Sequence, residues 1–150
     1  MNVNTLLSDI ARTAPESELR QFACACCRRL LPMFPDLDLE ELLLFGGSRG
    51  SGEPSREQAA RLRSRFGEIY DSLYPGYGDP SAKVLALSAV GEAAFTDSPL
   101  NAAINALEFC ADAIAKAAAE PSAKYDDDYE AAYATERGVQ AEMLQRYFSK

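Results

Sequence analysis

The sequence contains no histidine. That removes the side chain most used as a general base near neutral pH. With it go Ser–His and Cys–His nucleophile pairs, the HExxH zinc motif and every His-ligated metal site. An enzyme built on this chain would work with carboxylates, Lys, Tyr or an unassisted Cys. β-Branched residues are also scarce: Val, Ile and Thr together number twelve in 150 residues. No alternating strand pattern persists. No apolar run approaches the ~18 residues of a membrane span. The opening MNVNTLLSDIARTAPES has neither a basic n-region nor a long apolar stretch. The expectation is therefore no secretory signal and a cytoplasmic protein, in which the four cysteines stay reduced.

What is present suits a soluble globular domain. Apolar residues make up 47% and charged residues 25%, which argues against disorder. The length is enough for one domain, expected over 1–150, with a real core. The net charge is −8 and uneven. Residues 1–48 carry four basic and seven acidic groups, residues 49–65 five and two, and residues 66–150 six and fourteen. Such an acidic body repels nucleic acid and anionic lipid and attracts basic proteins.

Nearly every segment reads as helix. A short helix is expected over 4–12. Thr13-Ala14-Pro15-Glu16 has the form of a capping box for a helix from 14 to about Leu31, which Pro32 and Pro35 would end. Asp36 and Asp38 are placed to open a short helix through DLEELLLF, with Gly46 as its C′ residue. GGSRGSGEPS (46–55) reads as a flexible Gly/Ser-rich loop; without a following Gly-Lys-Ser/Thr it is not a P-loop. Ser55-x-x-Gln58 is a second capping box, for a helix of about 56–74. In the Arg56–Arg65 stretch, Arg61 and Arg65 lie together, with Glu57 and Glu68 as expected partners, while Arg63 points elsewhere. Asp79 and Pro80 should start a helix to 96. Asp97-Ser98-Pro99 restarts the pattern for one of about 99–119, and Asp126–Asp128 suit the positive end of a last helix to about Phe148. The expected fold is all-α: a single compact domain of about six main helices plus a short N-terminal one, with no solenoid repeat.

FACACCRRLL (22–31) holds three of the four cysteines. On a helical wheel Leu19, Phe22, Ala23, Cys26 and Leu30 form the core stripe. Cys27 falls on its flank and Cys24 further round. Cys24 and Cys27, at i and i+3, could jointly touch a metal, with Cu(I) the best suited. A structural zinc site needs about four ligands, and only Cys110 remains to help. Cys24 beside Arg28 is the best site for a reactive thiol. The plainer reading is small side chains that let helices pack closely. Leu107 and Cys110 lie on the helix of 99–119, which is apolar round most of its circumference and so central. Phe22, Cys26, Leu30, Leu107 and Cys110 are expected core, and no cofactor is implied.

Tyr125, Tyr129 and Tyr133 recur at i,i+4 among Asp126, Asp127, Asp128 and Glu130. The plain reading is that the rings pack the last helix onto the body and the acids are solvated. The sharper one is a protein-binding surface, since tyrosine is enriched at hot spots and carboxylates steer a basic partner. Glu40, Glu41, Asp71, Glu108 and Asp112 offer further carboxylates, with no spacing that marks a catalytic pair.

LRQFACACCRRLLPMF (19–34) and ATERGVQAEMLQRYF (134–148) together resemble a family of uncharacterised, Ala-rich helical bacterial proteins. In that family an R-x-F-A-C-A-C-C-R-R-like helix comes early and an E-R-x-x-Q-A-x-L-L-like helix closes the chain. The second match runs through Glu136, Arg137, Gln140, Ala141 and Leu144, with Tyr147 where the family has an aliphatic residue. The resemblance covers about thirty residues and implies a helical fold, with no activity or catalytic residue to carry over. It suggests that the first long helix docks against the last through Glu136 or Glu142 and Arg28 or Arg29.

The function these features suggest is a non-enzymatic protein-binding module. Its most concrete form is an immunity-type inhibitor that neutralises a basic cognate toxin, such as a nuclease, through the acidic, tyrosine-bearing surface. The alternatives are a thiol metal-binding or redox-sensing protein built on Cys24, Cys26 and Cys27, and a helical adaptor or regulatory module.

Overall fold

The computed structural model describes residues 2–49 and 55–149. Within them lie seven helices: α1 (Val3–Ala11), α2 (Glu16–Arg28), α3 (Glu40–Ser48), α4 (Arg56–Leu73), α5 (Ala82–Phe95), α6 (Pro99–Ala119) and α7 (Tyr125–Phe148). No strand occurs among them, and the helices build one compact all-α domain. No helix among the described residues is long and apolar enough to cross a membrane.

The centre is the antiparallel pair α5 and α6, the most extensive helix contact in the fold. Both helices are alanine-rich. In α5, Ala82, Ala86, Ala89, Ala93 and Ala94 are buried together with Val84, Leu85, Leu87 and Val90. A helix apolar on all sides belongs in the interior. In α6, alanines at 102, 103, 106, 111, 113, 115 and 119 are buried beside Leu107 and Cys110. Side chains this small let backbones approach closely, and closely packed atoms gain dispersion contacts. Helix α2 packs on α6, α5 and α3, and α7 covers α6 and α1. Phe22, Cys26, Leu30, Leu107 and Cys110 are all fully buried.

Serine caps start three helices: Ser55 accepts from Gln58 N at 3.1 Å, Ser81 from Val84 N at 3.2 Å and Ser98 from Asn101 N at 3.2 Å. Each satisfies an amide that the first turn leaves unpaired. Other expected caps differ. Thr13 does not cap α2, because residues 12–14 still close the last turn of α1 through bonds to Asp9 and Ile10. Pro15 takes the N-cap position, with no side-chain bond. Helix α2 ends at Arg28 and then tightens into i+3 bonds from Arg29, Leu30 and Leu31, a usual way to finish a helix. Asp36 and Asp38 do not open α3. They are taken by long-range partners, Lys83 and Arg65. The N-cap ahead of α5 is Ser81 and not Asp79.

The expected 46–55 loop is shorter than its composition suggests. Gly46, Gly47 and Ser48 belong to α3, and residues 50–54 lie outside the described residues. Gly46 is buried: a Cβ there would meet Cys24 Sγ at 2.9 Å and Ala94 Cα at 3.1 Å. The glycine is kept for close approach of α3 to α2 and α5, and not for chain reversal. Arg49 then donates to Ala94 O at 2.9 Å, and Arg20, itself buried, donates to Ala93 O at 3.1 Å and Asp97 O at 3.0 Å. Two guanidinium groups thus sit on the orphan carbonyls at the negative end of α5.

The basic stretch before Arg65 also has a structural partner. Arg61 and Arg65 both reach Glu41 on α3, at 3.0 and 3.4 Å, and not the expected Glu57 and Glu68. Two positive charges at i,i+4 would repel; a shared carboxylate removes that cost and ties α4 to α3.

Candidate functional site

The tyrosine series on α7 forms a regular stack. Ring centroids of Tyr125–Tyr129 and Tyr129–Tyr133 are 6.1 Å apart, with planes 16° and 15° from parallel. Four-residue spacing places successive rings one above another on one face. The stack leans on α6. Tyr129 donates its hydroxyl to Asp112, and Tyr133 donates to Glu108 Oε2 at 2.6 Å. Glu108 and Asp112 are themselves i,i+4, so two tyrosines and two carboxylates form two rungs between the helices. These hydroxyls are occupied within the fold, as the plain reading of the stripe had it. Burial and the bond to Glu108 push the Tyr133 phenol up to about 12, and burial with the bond to Asp112 raises Tyr129.

What faces outward is carboxylate. Asp126, Asp127, Asp128 and Glu130 are all exposed. The first three sit in the first turn of α7, whose N-cap residue Lys124 supplies no side-chain bond. Three acids there offset the exposed amides and the helix dipole. Asp126 also borders a cleft of about 520 Å³ between the 79–80 turn, α6 and α7. Asp79, Asp112, Asp126 and Glu130 line it beside the rings of Tyr125 and Tyr129. Its single basic residue, Lys116, donates to the Pro80 carbonyl.

The turn leading into this cleft presents a residue with no periodic signal in the sequence. Tyr77 is 78% exposed, the most exposed large apolar side chain among the described residues. Gly76 and Gly78 flank it at φ +92° and +82°, a conformation that side chains disfavour. Tyr74 braces the turn by donating to Gly78 O at 2.9 Å. The PGYGD string holds a turn signal in its two glycines, and Tyr77 stands exposed between them.

The cysteines are placed otherwise than a metal site requires. Cys24 is buried, 3% exposed, against the expectation that it lies furthest out. Helices α3 and α5 cover that side of α2, with Gly46 against the sulfur. Cys27 faces away from it, toward α6, where Cys110 Sγ is 3.9 Å from Cys27 Sγ and 3.8 Å from Cys26 O. All four are free thiols, and among the described residues no group of three or more His, Cys, Asp or Glu is arranged to hold a metal. Burial raises the Cys24 thiol to about 11, despite the nearby Arg20 and Arg28. Cys26 rises through burial, and Cys27 through its hydrogen bond with Cys110 and then burial. A thiol that stays protonated is a poor nucleophile and a poor ligand. The native protein is therefore expected to leave all four cysteines unlabelled by a disulfide reagent at pH 8. Unfolding should release four equivalents; rapid labelling of one or more thiols in the folded state would contradict the arrangement.

A pH dependence follows from the same groups. The folded state holds the Cys24 proton to about 11 against an ordinary 9.0, and the Tyr133 proton to about 12 against 10.0. The unfolded chain releases these protons first, so rising pH favours unfolding. Stability is expected to be whole below pH ~9 and to fall steadily through the range up to ~12. Denaturant midpoints measured across that range check it; a flat profile would contradict it.

No protein-family model matches the chain, and no curated protein or solved structure gives a significant match. The kinship suggested by the two end segments therefore rests on those segments. Their matched residues do meet in space. Arg29 Nη1 donates to Glu136 Oε2 at 2.6 Å, while Arg28 turns to Glu40 at 2.7 Å. Glu136, Gln140 and Leu144 are the buried residues of α7.

Proposed function

We propose that the chain is a non-enzymatic protein-binding module that holds a basic partner on the acidic face at the start of α7. In its most concrete form it is an immunity-type inhibitor that covers the active site of a cognate basic toxin, such as a nuclease. The observation that carries this reading is the composition of the 520 Å³ cleft: four carboxylates, two tyrosine rings and one lysine already bonded to a backbone carbonyl. An Arg or Lys from a partner would find Asp79, Asp126 and Glu130 around its head and the ring of Tyr125 along its stem. Tyr77, held out on its braced turn near Asp79, offers a rigid aromatic anchor with little entropy to lose on binding. The net charge of −8 adds long-range steering toward a basic surface.

The test is co-purification of the tagged chain with the products of neighbouring genes at low salt. Capture of a basic protein whose toxicity the chain relieves in growing cells supports the inhibitor role. Capture without any toxicity points to an adaptor, and no capture counts against both.

A further inference from the structure

Helix α4 leaves its apolar face half covered. Leu62 is its one fully buried residue among the described positions, while Phe66, Ile69, Tyr70 and Leu73 are partly exposed against the core. Between α4, α5 and α6 lies a cleft of about 510 Å³. Its principal walls are Phe66, Tyr70, Phe95 and Phe109, and Arg63 and Glu92 supply its charges. The volume and this mix of aromatic wall with few polar groups match small-molecule sites. Phe66 reaches into α5 because Gly91 lacks a side chain: a Cβ there would lie 2.4 Å from the ring. The ring then meets Phe95 edge-on at 5.7 Å and Tyr70 at 6.1 Å, so the walls hold one another in place.

The two charges do not pair with each other. Glu92 uses one oxygen, Oε2, for both internal donors, the Thr96 hydroxyl and the Asn105 amide at 3.5 Å. Among the described residues nothing donates to Oε1. Arg63 lies over the Phe95 ring at 4.9 Å and makes no ion pair or hydrogen bond to a described residue. One cleft thus holds a fixed carboxylate with an unused oxygen, a guanidinium with unused donors, and apolar ring faces.

We propose that this cleft binds a small zwitterion with an apolar or aromatic body, of which an aromatic α-amino acid is the simplest member. The ligand ammonium donates to Glu92 Oε1, its carboxylate receives the Arg63 fork, and its ring lies against Phe66, Tyr70 and Phe109. A ligand bearing one charge forgoes one of the two charge-assisted bonds, which lowers its affinity. The site shares no lining residue with the acidic cleft at α7, so it stands or falls independently of partner binding.

The test is an amide-resolved NMR titration of the whole chain with L-phenylalanine, phenethylamine and 3-phenylpropionate. Saturable shifts confined to the neighbourhood of Phe66, Gly91 and Phe95 are expected with phenylalanine. Each one-charge analogue should bind on the order of tenfold more weakly, as should phenylalanine to Glu92→Gln and to Arg63→Met. The analogue series uses the native protein, so it decides the matter even if a variant folds poorly. Absence of saturable shifts, shifts centred elsewhere, or equal binding of phenethylamine overturns the proposal.

Discussion

Arg29→Met is expected to lower folding stability by about 3 kcal/mol, the low end for breaking a buried ion pair. The cost arises on the other side of the contact. Glu136 is 3% exposed, while Arg29 keeps 36% of its side chain in water. Removing Arg29 leaves a buried carboxylate with one remaining donor, Gln140 Nε2 at 3.3 Å. Removing the charge from Glu136 leaves a half-solvated arginine, so Glu136→Gln should cost only about 1 kcal/mol. The pair also anchors a wider network. Gln140 donates to Leu107 O at 2.9 Å and accepts from Arg137 at 3.1 Å, and Arg137 donates to Asn4 Oδ1 at 3.1 Å. Helices α2, α7, α6 and α1 meet through it. In the double variant the neutral amide needs no counter-charge, so the combined loss should be smaller than the sum. Urea unfolding followed by circular dichroism measures all three; additive losses would mean that the two residues are not coupled.

Two adjacent glycines on α3 are expected to respond in opposite directions to alanine. Gly46→Ala should destabilise by about 2 kcal/mol, as overpacking of a tight contact does. The new methyl would meet Cys24 Sγ at 2.9 Å, Ala94 Cα at 3.1 Å and Ala93 O at 3.3 Å. Two of those atoms are backbone of the central helix, and they cannot swing aside. Gly47 has nothing within 4 Å of the same construction. There alanine gains helix propensity with no clash, worth up to about 1 kcal/mol, less near a helix end. Thermal melts of the two single variants decide it, and equal shifts for both would show that the α3–α5 approach is looser than described.

The helix pattern was legible because it is written locally. The 3.6-residue spacing of Leu62, Phe66, Ile69 and Leu73, the serines at 55 and 98, and the all-round apolar surface of 99–119 depend on near neighbours. The misses have distant causes. Asp36 and Asp38 look like helix openers until Lys83 and Arg65 arrive from other helices. Gly46 looks like a stop signal until α5 is packed against it. Cys24 looks outward on a wheel, but a wheel shows one core direction and α2 is covered from two sides by α3, α5 and α6.

The site divides in the same way. Tyrosine spacing at 125, 129 and 133 put the three rings on one face of the last helix. It could not show that Glu108 and Asp112, four residues apart on α6, would take up two of the hydroxyls. Nor could it show that Asp79 would be brought beside Asp126 and Glu130. Tyr77 was readable only from its flanking glycines, a turn signal without a period.

The most direct test of the proposed role is the affinity for a basic protein co-purified from the neighbouring genes, compared between the native chain and an Asp126→Lys, Glu130→Lys variant at low and high salt. The two reversed charges are expected to weaken binding on the order of a hundredfold at low salt, with the gap closing as salt screens the surface. Unchanged affinity of the charge-reversed variant, with its helical fold intact, would contradict the assignment of this face as the partner site.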